Sequence, residues 1–549
     1  MDQDRPEETH LEAAGKPRRE ALLVSTGVVG AMTLVSRITG LARDIGFSHW
    51  FGAGLVMDAF FVAFKIPNLL RRFFAEGAFS QAFVPVLSEF RGTRTADETR
   101  ALIDKIAGTL TVVLFVFTVL GVLAAPLLIL VFAPGFIGDD ARRVLATDML
   151  RLTLPYLFFV SLTAFAGAIL NVHRRFAVPA FTPVLLNAVL IVFAALVAPR
   201  LERPAIGLAA GVFAAGVVQL AFQVPFLLRL GLLPRPRLAL GDGDVARVLR
   251  LMTPALFGSS IVQINLMLDM LIASFLAAGS ISWLYYSDRL MEFPLGIVGV
   301  ALGTVILPSL AEQHARKSPE AFSATLDWAL RWVLVITVPA AVGLFLLSAP
   351  LLATIFHGGE FDASDVGMSA ASLAAFAPGL IGFVGVKVLA PAYFARQDTR
   401  TPVRIGVRTV LINLVLNVVL VNLLIHTGWA PPHAGLALAT SVSGLCNAGM
   451  LLSGLVCAGV YRTRTRWAPL VARVALACAA MVVFVVAMQA ALGDWLAMST
   501  KAQVAWLGAL VVGAVLVYAF ACITTGLGPR ALRAEHDAER APSAPRAGA

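Results

Sequence analysis

Long apolar runs of about 18 to 27 residues, separated by short polar breaks, repeat along the chain from Ala21 to Ile523. About 20 apolar residues wound as a helix cross the roughly 30 Å hydrocarbon core of a bilayer, so each run predicts one membrane-spanning helix. Fourteen such helices are expected, starting near residues 21, 54, 104, 150, 179, 205, 248, 281, 325, 369, 403, 434, 468 and 503. The predicted fold class is an all-α polytopic membrane protein. Glycines and prolines inside the runs, including Pro67, Gly77, Pro294 and Gly299, fit packing or kink positions within such helices. Residues 1–20 are polar, carry no signal-peptide cleavage pattern, and read as a cytoplasmic tail that is disordered through residue 18. Residues 526–549, rich in Arg, Ala and Pro, read as a second tail.

Composition agrees with this pattern and removes the soluble alternatives. Of 549 residues 58% are hydrophobic and only 14% charged, with a mean hydropathy of +0.83, too little charge to cover a soluble protein of this size. The formal charge of +10 would suggest nucleic acid in a soluble chain, but here the basic residues lie mostly in the short connections. An even helix count puts both termini on one side, so alternate connections can be compared. The tails and even-numbered loops hold Lys16, Arg18, Arg19, Arg91, Arg94, Arg174, Arg175, Arg235, Arg237, Arg316, Lys317, Arg400, Arg404, Arg462 and Arg466. The odd-numbered loops offer little beyond Arg43, Arg142, Arg143, Arg200, Arg203 and Lys501. The positive-inside rule then places both termini in the cytoplasm, and no nucleic-acid partner is expected. Cys446, Cys457, Cys478 and Cys522 all lie in apolar runs without metal-ligand spacing, so no metal site is expected.

An internal duplication is visible. The segment 83–89 (FVPVLSE) matches 306–312 (ILPSLAE), a step of 223 from Pro85 to Pro308. Thr182-Pro183-Val184 matches Thr401-Pro402-Val403 at a step of 219, and the GLA beginning at Gly207 matches that at Gly435 at 228. Three ordered matches at nearly one spacing predict two pseudo-symmetric six-helix lobes, residues 21–230 and 245–461, in the same membrane orientation. Two extra C-terminal helices follow in residues 467–525.

Two facing lobes make a central cavity, where charges inside membrane helices are expected to point. Helix 1 carries Arg37 and, near its outer end, Arg43; helix 2 carries Asp58, Lys65, Arg71, Arg72 and Glu76; helix 7 carries Asp269; helix 8 carries Asp288, Arg289 and Glu292; helix 10 carries Lys387. Each costs about 2.5–3.5 kcal/mol at a helix centre, so lipid-facing placement of the whole set is excluded. At about 100° per residue, Asp58, Lys65, Arg72 and Glu76 form one stripe on helix 2, with Arg71 elsewhere unless Pro67 rotates the helix. Some pairs, such as Arg72 with Glu76 or Arg289 with Glu292, have the spacing of structural ion pairs. The first two helices nevertheless set Arg37, Arg43, Lys65, Arg71 and Arg72 against Asp58 and Glu76. Arginine's planar fork matches phosphate oxygens, so this surplus points to a phosphate or diphosphate substrate more than to a cation.

The run SRITGLARD at 36–44, FGAG at 51–54 and DAFFVAFKIPNLLRRFFAEGAFSQAFVP at 58–85 resembles the signature of the MurJ/MviN lipid II flippases. YYSDRLMEFP at 285–294, KVLAP at 387–391 and RQDTRTP at 396–402 extend the resemblance over residues 22 to 525. It implies a member of the multidrug/oligosaccharidyl-lipid/polysaccharide exporter superfamily that moves lipid II, the undecaprenyl-diphosphate-linked peptidoglycan precursor, from the inner to the outer leaflet of the bacterial cytoplasmic membrane. It also implies substrate-binding roles for Arg37, Arg43, Arg71 and Arg289, an important acid at Asp58, and a groove for the lipid tail at the last two helices.

No nucleotide-binding loop or hydrolase motif is present in the sequence, so transport without a cofactor, driven by the membrane potential, is expected. Lipid II and membrane lipids are the expected partners of a monomer, with cell-wall synthesis enzymes as further candidates. Two rivals make different demands. A cation or drug antiporter would use a buried acid such as Asp269, and a scaffold for cell-wall enzymes would have no use for costly intramembrane charges.

Overall fold

The computed structural model describes residues 8–71, 78–463 and 465–527, so Arg72, Glu76, residues 1–7 and the second tail from 528 onward lie outside the described residues. The described residues are helical almost throughout. In chain order the helices are α1 (Glu8–Phe51), α2 (Leu55–Arg71), α3 (Ala78–Thr93), α4 (Ala96–Leu123), α5 (Ala125–Phe132), α6 (Asp140–Thr153), α7 (Pro155–Val172), α8 (Ala177–Val192), α9 (Pro204–Arg229) and α10 (Gly243–Ala273). They continue with α11 (Ser280–Ala315), α12 (Pro319–Leu346), α13 (Ser348–Phe356), α14 (Ala363–Phe376), α15 (Gly379–Phe394), α16 (Arg400–Thr427), α17 (Pro432–Cys457), α18 (Trp467–Leu492) and α19 (Thr500–Thr524).

Each predicted start falls in or beside one of these helices, but apolarity alone qualifies fewer of them as spans. Nine among the described residues are long and apolar enough, or ten when α14 and α15, bent by 42°, count as one. The predicted spans outside that set are α1, α2 with α3, α10 and α11, and they carry the charged candidates with Lys387 on α15 as the exception. Their charges lower the very hydropathy by which a span is recognised. The first helix also starts at Glu8, so residues 8–18 belong to α1 where a disordered tail was expected. A stretch too polar to form a core can still extend an existing helix, because propagation avoids the nucleation cost.

Two compact units divide inside α10, between Gln263 and Ile264, with Gly52–Gly54 grouped with the second. In the first unit α1 packs on α8, α2 on α6, and α7 against α3, α4 and α9. Its core centres on Phe79, Phe83 and Phe165, with ring centroids 5.1–5.9 Å apart, and takes in Val245 and Val248 from the start of α10. Pro67 has no N–H for the Ala63 carbonyl one turn back, and the buried Thr153 hydroxyl of α6 donates to that carbonyl at 2.8 Å. In the second unit α11 packs on α12, α14 and α15, and α17 on α15 and α16. The Ser441 hydroxyl donates to Ala375 O at 2.7 Å beside the α14/α15 bend, the same remedy for a broken ladder. Helices α18 and α19 pair with each other and lie against α12 and α13, where Tyr518 donates to Val335 O at 2.7 Å.

The duplication is written into the details of both units at the step that relates Pro85 to Pro308. Asp139 and Asp362 cap the N-termini of α6 and α14, each accepting from the N–H three residues on. Pro155 and Pro378 stand at the α6/α7 and α14/α15 breaks. Arg174 and Gln397, the left-handed residues after α7 and α15, have φ of 58° and 60°. At the same step, Asp104 of α4 and Asp327 of α12 are both buried acids that hold the stretch of chain leaving α9 and α17 respectively. Asp104 Oδ1 accepts from Arg235 N–H at 2.7 Å and its carbonyl from Arg237 N–H at 2.9 Å, while the Arg237 backbone presses so closely on Gly108 that a side chain there would overlap it. Asp327 accepts from the Tyr461 hydroxyl, from the Thr463 hydroxyl at 3.3 Å, and from the Thr465 N–H and hydroxyl at 3.1 and 3.0 Å. Burial first, and then Asp327, raise the Tyr461 phenol above its ordinary range, so it stays a donor.

Asparagine at Asp327 turns an acceptor-only group toward converging donors into one that is half donor. Such hydrogen bonds to a charged group contribute about 1.5–3 kcal/mol each. Asp327→Asn and Asp104→Asn are therefore expected to lower the melting temperature of the purified protein by several degrees, Asp327→Asn more. Thermal unfolding curves matching the unsubstituted protein in both variants would refute the clamp.

Candidate functional site

The first unit brings part of the candidate set together around α1, α2 and α8. Arg43 is buried and its fork is in use: Nε and Nη2 donate to Asp44 Oδ1 at 2.9 and 2.6 Å, and Nη1 to Asn187 Oδ1 on α8 at 3.1 Å. Asn187 in turn donates to Ser36 O and Thr39 Oγ1 of α1 at 3.1 and 3.2 Å, so Arg43 and Asn187 fasten α1 to α8. The fully buried Asp44 stands outside the charge balance drawn from the sequence, which set Arg43 against Asp58 and Glu76 alone. With Asp44 included the cationic surplus of the first two helices is smaller, and Arg43 belongs to the packing of the unit.

The remaining charges of this unit differ in exposure. Arg37, two turns earlier on α1, is exposed and has no ion pair among the described residues. Asp58 is buried in the first turn of α2 at 1% exposure, and Lys65 is half-buried two turns on. Arg71, half-buried at the end of α2, donates from Nε to Asn68 Oδ1 at 3.2 Å, while Asn68 holds the Phe64 carbonyl at 2.9 Å. The guanidinium is thus braced by its own helix.

In the second unit Arg289 Nη1 donates to Glu292 Oε2 at 3.1 Å, the i,i+3 pair that the spacing predicted, with Glu292 half exposed. Asp288 beside it is half-buried. Lys387 of α15 is exposed, and its stem runs over Gly299 of α11: a Cβ there would come within 2.6 Å of Lys387 Cδ. Gly299, read from the sequence as a kink position, is the seat of that lysine. The FGAG and YYSDRLMEFP motifs also meet in this unit, where the buried Tyr286 donates to Gly52 O at 3.2 Å and stacks among Phe356 and Phe361. Gly52 has φ +65° and packs on the Glu360 carbonyl, a position closed to any side chain.

A polar cluster of which the sequence reading singled out only Asp269 completes the picture. Asp269 Oδ1 accepts from Asn413 and Asn417 of α16 at 3.0 and 2.8 Å, and Oδ2 from Thr440 of α17 at 3.3 Å. Asn413 also donates to Asn265 Oδ1 at 2.9 Å. Two asparagines one turn apart in an apolar run were the available signal. Arg43 and Asn187 stand as far apart in the chain as Asp269 and Asn413 do, so each unit sets a charge on an asparagine at the same separation with opposite sign, Arg43 buried and Asp269 half-buried. Duplication has conserved the polar link and inverted its charge.

Comparison with known proteins accords with these features. A family model described as lipid II flippase MurJ matches residues 47–505. A Vibrio cholerae protein named probable lipid II flippase MurJ is 46% identical over 467 residues, covering 84% of this chain and 88% of its own. A Burkholderia cenocepacia protein named lipid II flippase MurJ is 43% identical over 443 residues, covering 80% and 84%. Among solved structures, a lipid II flippase MurJ in an inward closed conformation aligns with a TM-score of 0.74 at 25% identity over 90% of this chain and 98% of that one. An inward-facing multidrug resistance transporter of the MATE family and MOP superfamily aligns with a TM-score of 0.62 at 13% identity, over 80% and 99%, a likeness of fold. With the family model matched over most of its length and these relatives aligned over four-fifths of it, the chain belongs to the MurJ family of lipid II flippases, transporters rather than enzymes.

Proposed function

We propose that the chain translocates lipid II from the inner to the outer leaflet of the bacterial cytoplasmic membrane by alternating access of its two halves, with both termini in the cytoplasm. The observation that carries this reading is the set of arginines on the charged helices of a chain in this family, Arg37, Arg71 and Arg289, of which Arg37 has no ion pair among the described residues, Arg71 is braced by an asparagine and Arg289 pairs with a half-exposed acid. Their forks take the diphosphate while the polyprenyl tail stays in lipid. Asp58 and Glu292 orient the cations and keep the headgroup from binding too tightly to leave. Arg43 acts at one remove, by holding α1 on α8. Membrane potential supplies the drive. A cation antiporter gains one supporting feature in the Asp269 cluster, but the arginines would then have no ligand.

The direct test is flipping of fluorescent or enzyme-accessible lipid II by the purified chain in proteoliposomes, against a neutral polyprenyl lipid as control. Transport of the diphosphate lipid alone is expected; equal movement of both would reject the phosphate reading. Orientation is tested separately by single cysteines in a cysteine-free chain. Glu360 and Ala430 replaced by cysteine are expected to react with a membrane-impermeant reagent in intact cells, and Ser318 and Arg462 are not. Glu360 is preferred to its neighbour Gly359, whose φ of +60° disfavours a cysteine. Labelling at Ser318 or Arg462 would reverse the orientation and the direction of transport with it.

A further inference from the structure

A pocket of about 300 Å³ between α16 and α17 has no part in the reading above. Thr401, Arg404 and Arg408 line one side and Met450, Ser453 and Gly454 the other. Arg404 and Arg408 are one turn apart, exposed on one face of α16, and neither has an ion-pair partner among the described residues. Arg408 lies eight residues into the helix, about 12 Å from Arg400 at 1.5 Å per residue. Its neighbours Val403, Val407 and Leu411 are 43–59% exposed, so this face of the helix meets lipid. A cation at that depth is costly unless it reaches the surface or meets an anion.

The fold itself does not ask for these arginines. The Thr-Pro-Val match that relates α8 to α16 puts Leu185 and Val189 at the positions of Arg404 and Arg408. Matching Asn187 with Asn413 instead gives Val178 and Thr182, so the duplicated helix is uncharged there by either alignment. Asp398, just before the helix, accepts from Thr401 N–H and hydroxyl at 3.0 and 2.6 Å and closes the first turn of α16. It does not line the pocket, and the charged groups among the lining residues are Arg404 and Arg408. Gly454 lines the pocket with its backbone, its missing Cβ making room for the Tyr393 hydroxyl behind it, which donates to Leu451 O at 2.7 Å. Ile405 and Met450 supply apolar wall beside the cations.

We propose that this pocket binds the phosphate headgroup of an anionic membrane phospholipid, in the leaflet that the charge bias assigns to the cytoplasm. Arg404 and Arg408 hold the phosphate oxygens, Ser453 lies at the rim, and Ile405 and Met450 take the first methylenes of an acyl chain. A snorkelling arginine needs no pocket; two guanidinium groups one turn apart beside an apolar wall fit a headgroup joined to a chain.

The test uses the full-length purified chain in detergent micelles doped with phosphatidylglycerol or phosphatidylcholine, with bound lipid counted by native mass spectrometry. Phosphatidylglycerol is expected to be retained over phosphatidylcholine, and Arg404→Gln/Arg408→Gln to weaken its retention by about thirtyfold, the order expected for two cations at an anionic headgroup. Ser453→Glu, which leaves both arginines in place and adds a negative charge at the rim, is expected to do the same, so a folding defect in the double variant does not decide the matter. Unchanged retention in either variant overturns the proposal. Displacement of the lipid by inorganic phosphate alone would assign the pocket to a free anion, and selective displacement by a lipid-linked diphosphate would assign it to the transported substrate; both overturn the phospholipid assignment.

Discussion

Alanine in place of Arg37, Arg71 or Arg289 is expected to abolish growth support in a strain lacking its own flippase, at normal protein level by immunoblot. On the proposed function each guanidinium would contribute charge-assisted contacts to the diphosphate worth about 1.5–3 kcal/mol, a loss of roughly ten- to 150-fold in affinity per residue. None of the three has a role in the packing described above that would remove the protein first. Arg37 is exposed, Arg71 is braced by Asn68 within one helix, and Arg289 pairs with the half-exposed Glu292. Arg43→Ala is expected to fail differently. It takes the guanidinium from the fully buried Asp44 and unfastens Asn187, and breaking a buried pair from one side costs about 3–5 kcal/mol, so the protein level itself falls. Full complementation by the Arg37, Arg71 and Arg289 variants alike would show that the phosphate reading is wrong.

Collapse of the membrane potential with an ionophore at constant pH is expected to stop flipping in cells or polarised proteoliposomes, whereas collapse of the pH gradient alone is not. A diphosphate carries roughly two negative charges, and each charge crossing the membrane is worth about 2.3 kcal/mol per 100 mV. An inside-negative potential pushes that charge outward. If cations of the protein move with it they cancel part of the push, but the same field then favours their return once the substrate has left. Transport that persists in full at zero potential would shift the drive to consumption of product outside or to an ion gradient, and Asp269 with Asn413, Asn417 and Thr440 is the cluster on which to test the latter. Asp269→Asn would then abolish the gradient dependence.

The most legible parts of the candidate site are those set by local spacing. Arg289 and Glu292 pair as three-residue spacing on a helix requires, and Pro67 marks a real break in the backbone ladder. Arg43 was legible as an intramembrane charge but not as a spent one. Its partners are a sequence neighbour, Asp44, and Asn187 on a helix far along the chain, and a census of charges along one helix sees neither the asparagine nor the direction of the fork. Gly299 shows the same limit from the other side. A glycine in a membrane helix signals close approach without naming what approaches, and only the packing of α11 on α15 supplies Lys387.

The amino-acid sequence by itself determined that this chain is a helical membrane protein with duplicated halves, because hydropathy and repeat spacing are properties of the chain read in one dimension. It also determined the inventory of costly charges and the family signature around them. The tertiary structure decided which charges are consumed internally and which remain presented: Arg43 bound on α8, Asp269 on α16 and α17, Asp104 and Asp327 on the straps that leave each half, and Arg37 left exposed. The reason is physical. A buried charge takes its energy from whichever dipoles surround it in space, and those dipoles come from residues that lie far away along the chain.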